Sequence, residues 1–385
     1  MNKHFWKAAL CAAMVPFALA GCGGGDDGGA QTGTLHVAMT DAPSCGFDHI
    51  YVTVSQVRVN ANTNASDNDA GWSTITLATP RKIDLLSLTN GVLADIGQTA
   101  LPAGQYQQIR LVLAPNQGNS LANSVVPTGG TEQALATPSA TQSGYKIIQP
   151  FTVQANTLVD LVLDFNACKS IVQRGNGTYA LKPVVTAIPT VVSGAISGYV
   201  APAEAGATVY AEQGGKVVRG TVADSTGKFV LSPLIQSSTQ GNYDVVIVQN
   251  NFASGIVRTV PVVVNTTTAV SASNAPITLP ASTMSSVSGT VTASADALVR
   301  ALQTVDARAY EITSINANMD TGAYALNVPT AAPIVGTYSG SLPVALAASP
   351  AAAAQYTIEA DAASGATQST NVNATTSQSN VNFSF

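Results

Sequence analysis

The chain has 385 residues, with 16 Lys+Arg against 21 Asp+Glu, a formal charge of −5 and only 10% charged residues. An acidic chain without a basic run lacks the electrostatic footprint of a nucleic-acid binder, so nucleic acid is excluded as a partner. With charge well below the usual share of about a quarter, the polar surface falls to Ser, Thr, Asn and Gln. Such a composition favours strands and turns, and the length suggests two or three domains.

The first element is an address. Lys3 and Lys7 precede an apolar stretch over 8–20, shorter than the roughly 20 residues a membrane span needs. Small residues then lead into Cys22, the layout of a secretory signal over 1–21. Leu19-Ala20-Gly21-Cys22 resembles the lipobox of bacterial lipoproteins. The resemblance implies that the Cys22 thiol takes a diacylglycerol, that the preceding bond is cut and that the new amine is acylated. A signal peptide with a chance cysteine is the alternative. Acyl chains contribute about 0.8 kcal/mol per buried CH₂, so several anchor where one is marginal. Residues 22–33 form a tether, Gly-rich with Asp26 and Asp27, too flexible and polar to bury a core. Position 23 is Gly, not the Asp that retains lipoproteins of that kind at the inner membrane. The resemblance therefore implies an outer-membrane anchor, facing the periplasm or the cell surface, with the membrane as a partner. Loss of Lys3 and Lys7 leaves 14 cations against 21 carboxylates, a formal charge of −7.

A first globular unit is expected over 34–189. Leu35, Val37 and Met39 alternate with His36, Ala38 and Thr40. Ile50, Val52 and Val54 hold one face, and Val57 and Val59 continue it after a phase slip that predicts a β-bulge near Ser55-Gln56. Further strands are expected at 72–77, 81–86, 106–114, 146–153, 157–165 and 178–187, a short helix at 92–99 and a long mobile loop at 116–144. Of the four cysteines, Cys11 leaves with the signal and Cys22 is acylated. Cys45 and Cys168, in an oxidising compartment, read as one disulfide. It would close a loop worth about 4–5 kcal/mol in the chain-entropy model; two separately buried thiols are the alternative.

Thr40-Asp41-Ala42-Pro43, Trp72, Ile83-Asp84-Leu85-Leu86, Leu101-Pro102-Ala103-Gly104-Gln105-Tyr106 and Ile109-Arg110-Leu111 occur in serial order. Their order and spacing resemble domain of unknown function 4382, a family of bacterial and archaeal secreted proteins and lipoproteins. The family brings no established activity, so this resemblance narrows identity and not function.

The remainder reads as a duplication over 193–281 and 285–385. Ser197-Gly198-Tyr199-Val200 recurs as Ser288-Gly289-Thr290-Val291, and Asp224-Ser225-Thr226-Gly227 as Asp320-Thr321-Gly322. Tyr243-Asp244-Val245-Val246 recurs as Tyr356-Thr357-Ile358-Glu359 after an Ala/Pro-rich insertion over 330–354. Both stretches resemble carboxypeptidase-regulatory-like modules, which implies Ig-like sandwiches serving as spacers or binding domains without catalysis. The expected fold class is all-β: an N-terminal β-sandwich-like domain followed by two such sandwiches.

Catalytic patterns fail one by one. Asp320-Thr321-Gly322 spells an aspartic-protease triplet, but its counterpart Asp224-Ser225-Thr226-Gly227 breaks the pair such a site needs. Gly227-Lys228 lacks the flanking glycine and Ser/Thr of a phosphate loop. His36 and His49 stand in no metal or triad spacing, and Asp67-Asn68-Asp69-Ala70-Gly71 ends on Ala78 where a calcium loop requires Glu. No cofactor, metal or enzyme activity is expected. The candidate binding residues are Asp41, which could equally cap a turn, and Trp72, the one tryptophan left after processing, both on connections of the first unit. The expected role is a non-catalytic binding or structural protein of the envelope, with an envelope protein or glycan as partner. A carbohydrate-binding or adhesive surface protein is the alternative, weakened by few aromatics; an unrecognised enzyme comes last.

Overall fold

Leu35, Val37 and Met39 lie fully buried along one face of strand Thr32–Asp41 in this computed structural model. The structure describes residues 31–41, 46–118, 120–182, 184–190, 193–236, 242–294, 296–342 and 344–385. The signal segment, Cys22, most of the tether and Cys45 lie outside the described residues.

Thr32–Asp41 pairs antiparallel with Ala94–Pro102 and parallel with Leu158–Phe165, and Val185–Pro189 completes a four-stranded sheet. Facing it is an eight-stranded sheet built around Phe47–Asn60, which pairs with Ser73–Asp84, Gly104–Leu113 and Ser124–Pro127. The two sheets share one apolar core. The anticipated phase slip is a register shift between Val54 and Gln56 against two partner strands. It returns Val57 and Val59 to the buried face held by Ile50, Val52 and Val54.

Tertiary pairing overturns several local expectations. The expected helix at 92–99 is part of strand Ala94–Pro102, because Ala94, Ile96 and Leu101 turn into the core and Thr32–Asp41 supplies hydrogen-bond partners. Pairing of this kind outweighs a weak local preference. The segments 72–77 and 81–86 form one strand, Ser73–Asp84, stopped by a 3₁₀ turn whose Leu86 N–H donates to Asp84 Oδ1 at 3.2 Å. The expected loop at 116–144 carries strands Ser124–Pro127 and Gln133–Ala136 and helix Pro138–Gln142. Val125 and Leu135 anchor it in the core. The buried Asn123 stitches it down, donating to Ala114 O at 2.7 Å and accepting from Thr53 N at 2.9 Å.

The middle and C-terminal units share one strand order. In the middle unit Ser193–Tyr199 lies between antiparallel Lys228–Ile235 and parallel Thr267–Ala269; in the C-terminal unit Met284–Thr292 lies between Ala323–Pro329 and Phe383–Ser384 in the same senses. The facing sheet runs Lys216–Val222, Thr208–Gln213, Asn242–Val248, Gly255–Pro261 in one and Arg308–Asn316, Leu298–Val305, Gln355–Asp361, Thr367–Asn373 in the other. Even the register shifts correspond, at Ala211/Glu212 and at Ala301/Leu302. Gly227 and Gly322 turn the equivalent hairpins at φ +80° and +68°, where an added Cβ would collide with the carbonyl oxygens of Val200 and Val291.

These units are not beads on a spacer. Ile334–Thr337, within the Ala/Pro-rich insertion, pairs parallel with Gly255–Pro261 and extends the middle sheet to six strands with Ala347–Ala348. In return Val246 and Ile256 of the middle unit are buried in the C-terminal core. Asn242–Val248 is therefore covered on both faces, which explains its unbroken Val245-Val246-Ile247 run. The N-terminal sandwich is tied in as well. Asn90 N donates to Thr221 Oγ1 at 2.7 Å, and Met319 N to Gln173 O at 3.0 Å.

Candidate functional site

The two binding candidates read from sequence are placed apart and put to structural use. Asp41 is 1% exposed, and its Oδ1 accepts from Ala167 N at 3.0 Å, at the start of helix Ala167–Ser170. It ties the end of strand Thr32–Asp41 to the start of that helix, in a buried place and not on the exposed loop tip expected from the sequence. Trp72 is half-buried beneath two guanidinium groups, with Arg58 at 4.5 Å and Arg110 at 5.4 Å from its ring centroid. Its Nε1 donates to Ser66 O at 2.9 Å. The ring therefore clamps the 61–71 connection and is no open stacking platform. The same connection uses Asp67 to receive Arg110 Nη1 at 2.6 Å and Asp69 to receive Ser66 N at 2.8 Å. Its carboxylates are spent on protein donors. Cys168 is disulfide-bonded; its expected partner Cys45, like the lipid-bearing Cys22, lies outside the described residues.

The unforeseen feature is the seam where all three units meet. Arg219 of the middle unit is ion-paired with Asp164 of the first. Lys169 of the first meets Glu311 of the third at 2.9 Å, and Arg300 reaches Glu311 at 3.3 Å and Asp361 at 3.0 Å. Glu212 of the middle unit accepts from Glu311 N at 3.1 Å. Burial first, and then the nearby charge of Glu311, push the Glu212 pKa well above the usual carboxylate value and favour its protonated form. Burial of this network adds little net stability, but removing any one partner strands a charge. It therefore fixes how the units sit together.

Beside this charged layer opens a cleft of about 900 Å³ lined by all three units. The first contributes Phe47, Gln173 and Tyr179, with Phe47 set edge-on to Tyr179 at 5.5 Å. The middle unit contributes Tyr210, Gln249 and Asn250, and the third Ile315, Asn316, Asn318 and Asn327. Among the described residues that line it, none is Asp, Glu, Lys, Arg or His. The walls are positioned by backbone capture: Asn316 Nδ2 donates to Lys169 O at 2.9 Å and Ile171 O at 3.2 Å, and Asn318 Oδ1 receives Asp320 N and Thr321 N. Burial, reinforced by Glu311 and Glu212, raises the Tyr210 pKa far above its ordinary value, so its phenol stays a donor. The described lining consists of neutral hydrogen-bonding and apolar groups, with no hydrogen-bonded nucleophile–base pair among them. Sequence reading passed over these residues because neutral amides and scattered tyrosines carry no spacing signature. The one available signal was the doubly buried strand at Val245-Val246-Ile247, which foretells a packed neighbour but not a cleft.

Both histidines of the described residues and the two hairpin aspartates have local partners. His36 lies between Asp160 at 2.7 Å and Asp95 at 3.0 Å, and His49 meets Asp84 at 2.7 Å. Desolvation would lower the His36 pKa, but the hydrogen bonds and charges of the two aspartates outweigh it and raise the value. Asp224 folds its own turn by accepting from Thr226 N at 2.8 Å and Lys228 N at 3.1 Å; Asp320 instead receives Gly175 N at 2.6 Å. Neither behaves as half of a proton-sharing dyad. Among the described residues no group of three or more His, Cys, Asp or Glu is arranged to hold a metal ion, and no helix is long and apolar enough to cross a membrane.

Comparison with known proteins is consistent with this anatomy in one part. A domain of unknown function family (DUF4382) matches residues 32–183, which hold all of the N-terminal sandwich but its last strand, Val185–Pro189. No curated protein matches the chain. Among solved structures, a mutant type II cohesin–X-dockerin complex from Acetivibrio cellulolyticus is 25% identical over 23% of this chain, with a TM-score of 0.19. The chain spans 58% of that structure's length. A streptococcal ancillary pilin is 8% identical, covering 92% of this chain and 99% of its own, at 0.15. A Ca²⁺-stabilised adhesin with which an Antarctic bacterium binds ice is 12% identical, covering 91% and 74%, at 0.12. These overlaps lie far below that of a shared fold and say nothing of function.

Proposed function

We propose that this protein is a non-catalytic binding protein of the cell envelope, anchored in the outer membrane through acyl chains on Cys22, whose ligand seats in the three-unit cleft. The observation that carries this reading is the cleft itself: an uncharged, amide- and aromatic-lined concavity whose walls come from three interlocked sandwiches. Its size lies within the roughly 300–1,000 Å³ usual for ligand sites. Preorganisation by the buried ion pairs lowers the ordering cost of binding.

The test is affinity capture from detergent-solubilised envelope, comparing the native lipoprotein with an Ala325→Trp variant. Ala325 is exposed on a strand and lines the cleft, so the added indole fills the space without touching the core. Capture should fall with the variant while its melting temperature holds. Equal capture by both refutes the cleft as the binding site. Cys22→Ser should move the protein out of the membrane fraction; retention there, or an unmodified mature Cys22 by mass spectrometry, refutes the anchor.

A further inference from the structure

We infer that the ligand of the cleft is a neutral carbohydrate chain, an assignment of ligand class that rests on the binding reading above. The argument begins with what the lining excludes. With no cation among the described residues of its walls, the cleft presents nothing there to neutralise a phosphate, sulfate or uronate, and the formal charge of the chain repels anionic polymers in general. With no carboxylate, it offers nothing to a basic peptide. An acyl chain would leave the amides of its walls desolvated and unpaired, which is costly.

What the walls do offer matches sugar hydroxyls. Among the described residues no hydrogen bond engages the side-chain amides of Gln173, Asn250 or Asn327, and all three are exposed. Asn318 keeps its Nδ2 and Asn316 its Oδ1 after their structural bonds are made. A hydroxyl both donates and accepts, and a carboxamide presents a donor and an acceptor side by side. Charged groups at these positions would demand a counter-charge; amides demand hydroxyls or other amides. Interleaved with them are apolar surfaces: Ile315 is 39% exposed, and Phe47 and Tyr210 are half-buried. Alternation of amides with flat apolar patches suits a pyranose, whose hydroxyls ring its edge while its C–H groups form two apolar faces. Tyr210 adds ring surface to the same wall. A cleft open between three units, and not sealed inside one, suits a chain that runs through it.

The test uses the full detergent-solubilised lipoprotein on an array of neutral and acidic glycans, with maltohexaose and cellohexaose as soluble titrants and an oligogalacturonate as the acidic control. A subset of neutral glycans should be retained. The binding should weaken about tenfold or more in the Gln173→Ala, Asn327→Ala double variant, as expected for two lost side-chain hydrogen bonds, and should vanish in Ala325→Trp. Gln173 and Asn327 are exposed, so the melting temperature of the double variant should match wild type even if the bulkier change perturbs the strand. Retention of acidic glycans in preference to neutral ones, absence of any neutral glycan, or neutral-glycan binding that both variants preserve overturns the inference. If envelope capture depends on the cleft but no neutral glycan binds or competes for it, the ligand class is wrong and the binding reading stands. If capture ignores the cleft, the binding reading itself falls.

Discussion

Arg219→Ala tests whether buried charge holds the three units together. Arg219 is 3% exposed; it is ion-paired with Asp164, itself 6% exposed, and donates to Thr40 Oγ1 at 2.9 Å and Ser232 O at 2.6 Å. Truncation leaves the Asp164 carboxylate buried without its cation, and losses of this kind run to about 3–5 kcal/mol. Burial already pushes the Asp164 pKa up, with Arg219 pulling against it. Without Arg219 the folded-state pKa climbs further. A carboxylate whose folded pKa lies above its unfolded one costs stability as pH rises beyond the unfolded value, so the penalty should be larger at pH 8 than at pH 4. Trp72 is the only tryptophan outside residues 1–21, so in protein prepared without that segment its fluorescence reports the N-terminal sandwich while far-UV circular dichroism reports all three units. In urea the two probes should coincide for wild type and separate for Arg219→Ala, the fluorescence midpoint being displaced from the circular-dichroism midpoint. The Arg219→Met, Asp164→Leu pair should recover most of the loss, since a well-packed apolar pair replaces a buried ion pair at little cost. A single variant within about 1 kcal/mol of wild type, or a double variant as unstable as the single, refutes the reasoning.

Asp41→Ala should lower stability by about 1–3 kcal/mol, because Ala167 N–H loses its acceptor in a buried place; an unchanged melting temperature would refute the structural role of that carboxylate. Glu212→Gln should stabilise the protein at pH 8 and do little at pH 5. The folded state holds a proton on Glu212 that the unfolded chain releases above its ordinary carboxylate pKa, so native stability drains away as pH rises through that window and glutamine removes the drain. Urea midpoints at both pH values decide it, and a variant weaker than wild type at pH 8 refutes the protonated assignment. Gly227→Ala and Gly322→Ala should each cost at least about 1 kcal/mol, since both positions combine positive φ with a carbonyl where Cβ would sit. A neutral effect at either would show that its hairpin is not under that constraint.

The parts of this molecule that sequence alone determined are those where the cause is local. Alternation at Leu35, Val37 and Met39 needs only the two-residue period of a strand, and the slip at Ser55-Gln56 needs only a count of valines. The hairpins at Gly227 and Gly322 follow from a backbone conformation that glycine alone adopts without strain. Sequence was silent wherever the partner lies far along the chain. Residues 92–99 look helical until Thr32–Asp41 offers its edge, and 116–144 looks like loop until Val125, Leu135 and Asn123 find the core. The insertion over 330–354 reads as slack until its strand joins a neighbour's sheet. Charged residues such as Arg219, Arg300 and Glu212 read as surface in a one-dimensional pattern, because nothing local names Asp164, Glu311 or Asp361 as the groups that make their burial tolerable. The cleft is the extreme case. Its residues are ordinary amides and tyrosines, and only the packing of three sandwiches brings them to a common wall, since a concavity is a property of surfaces meeting and not of any stretch of chain.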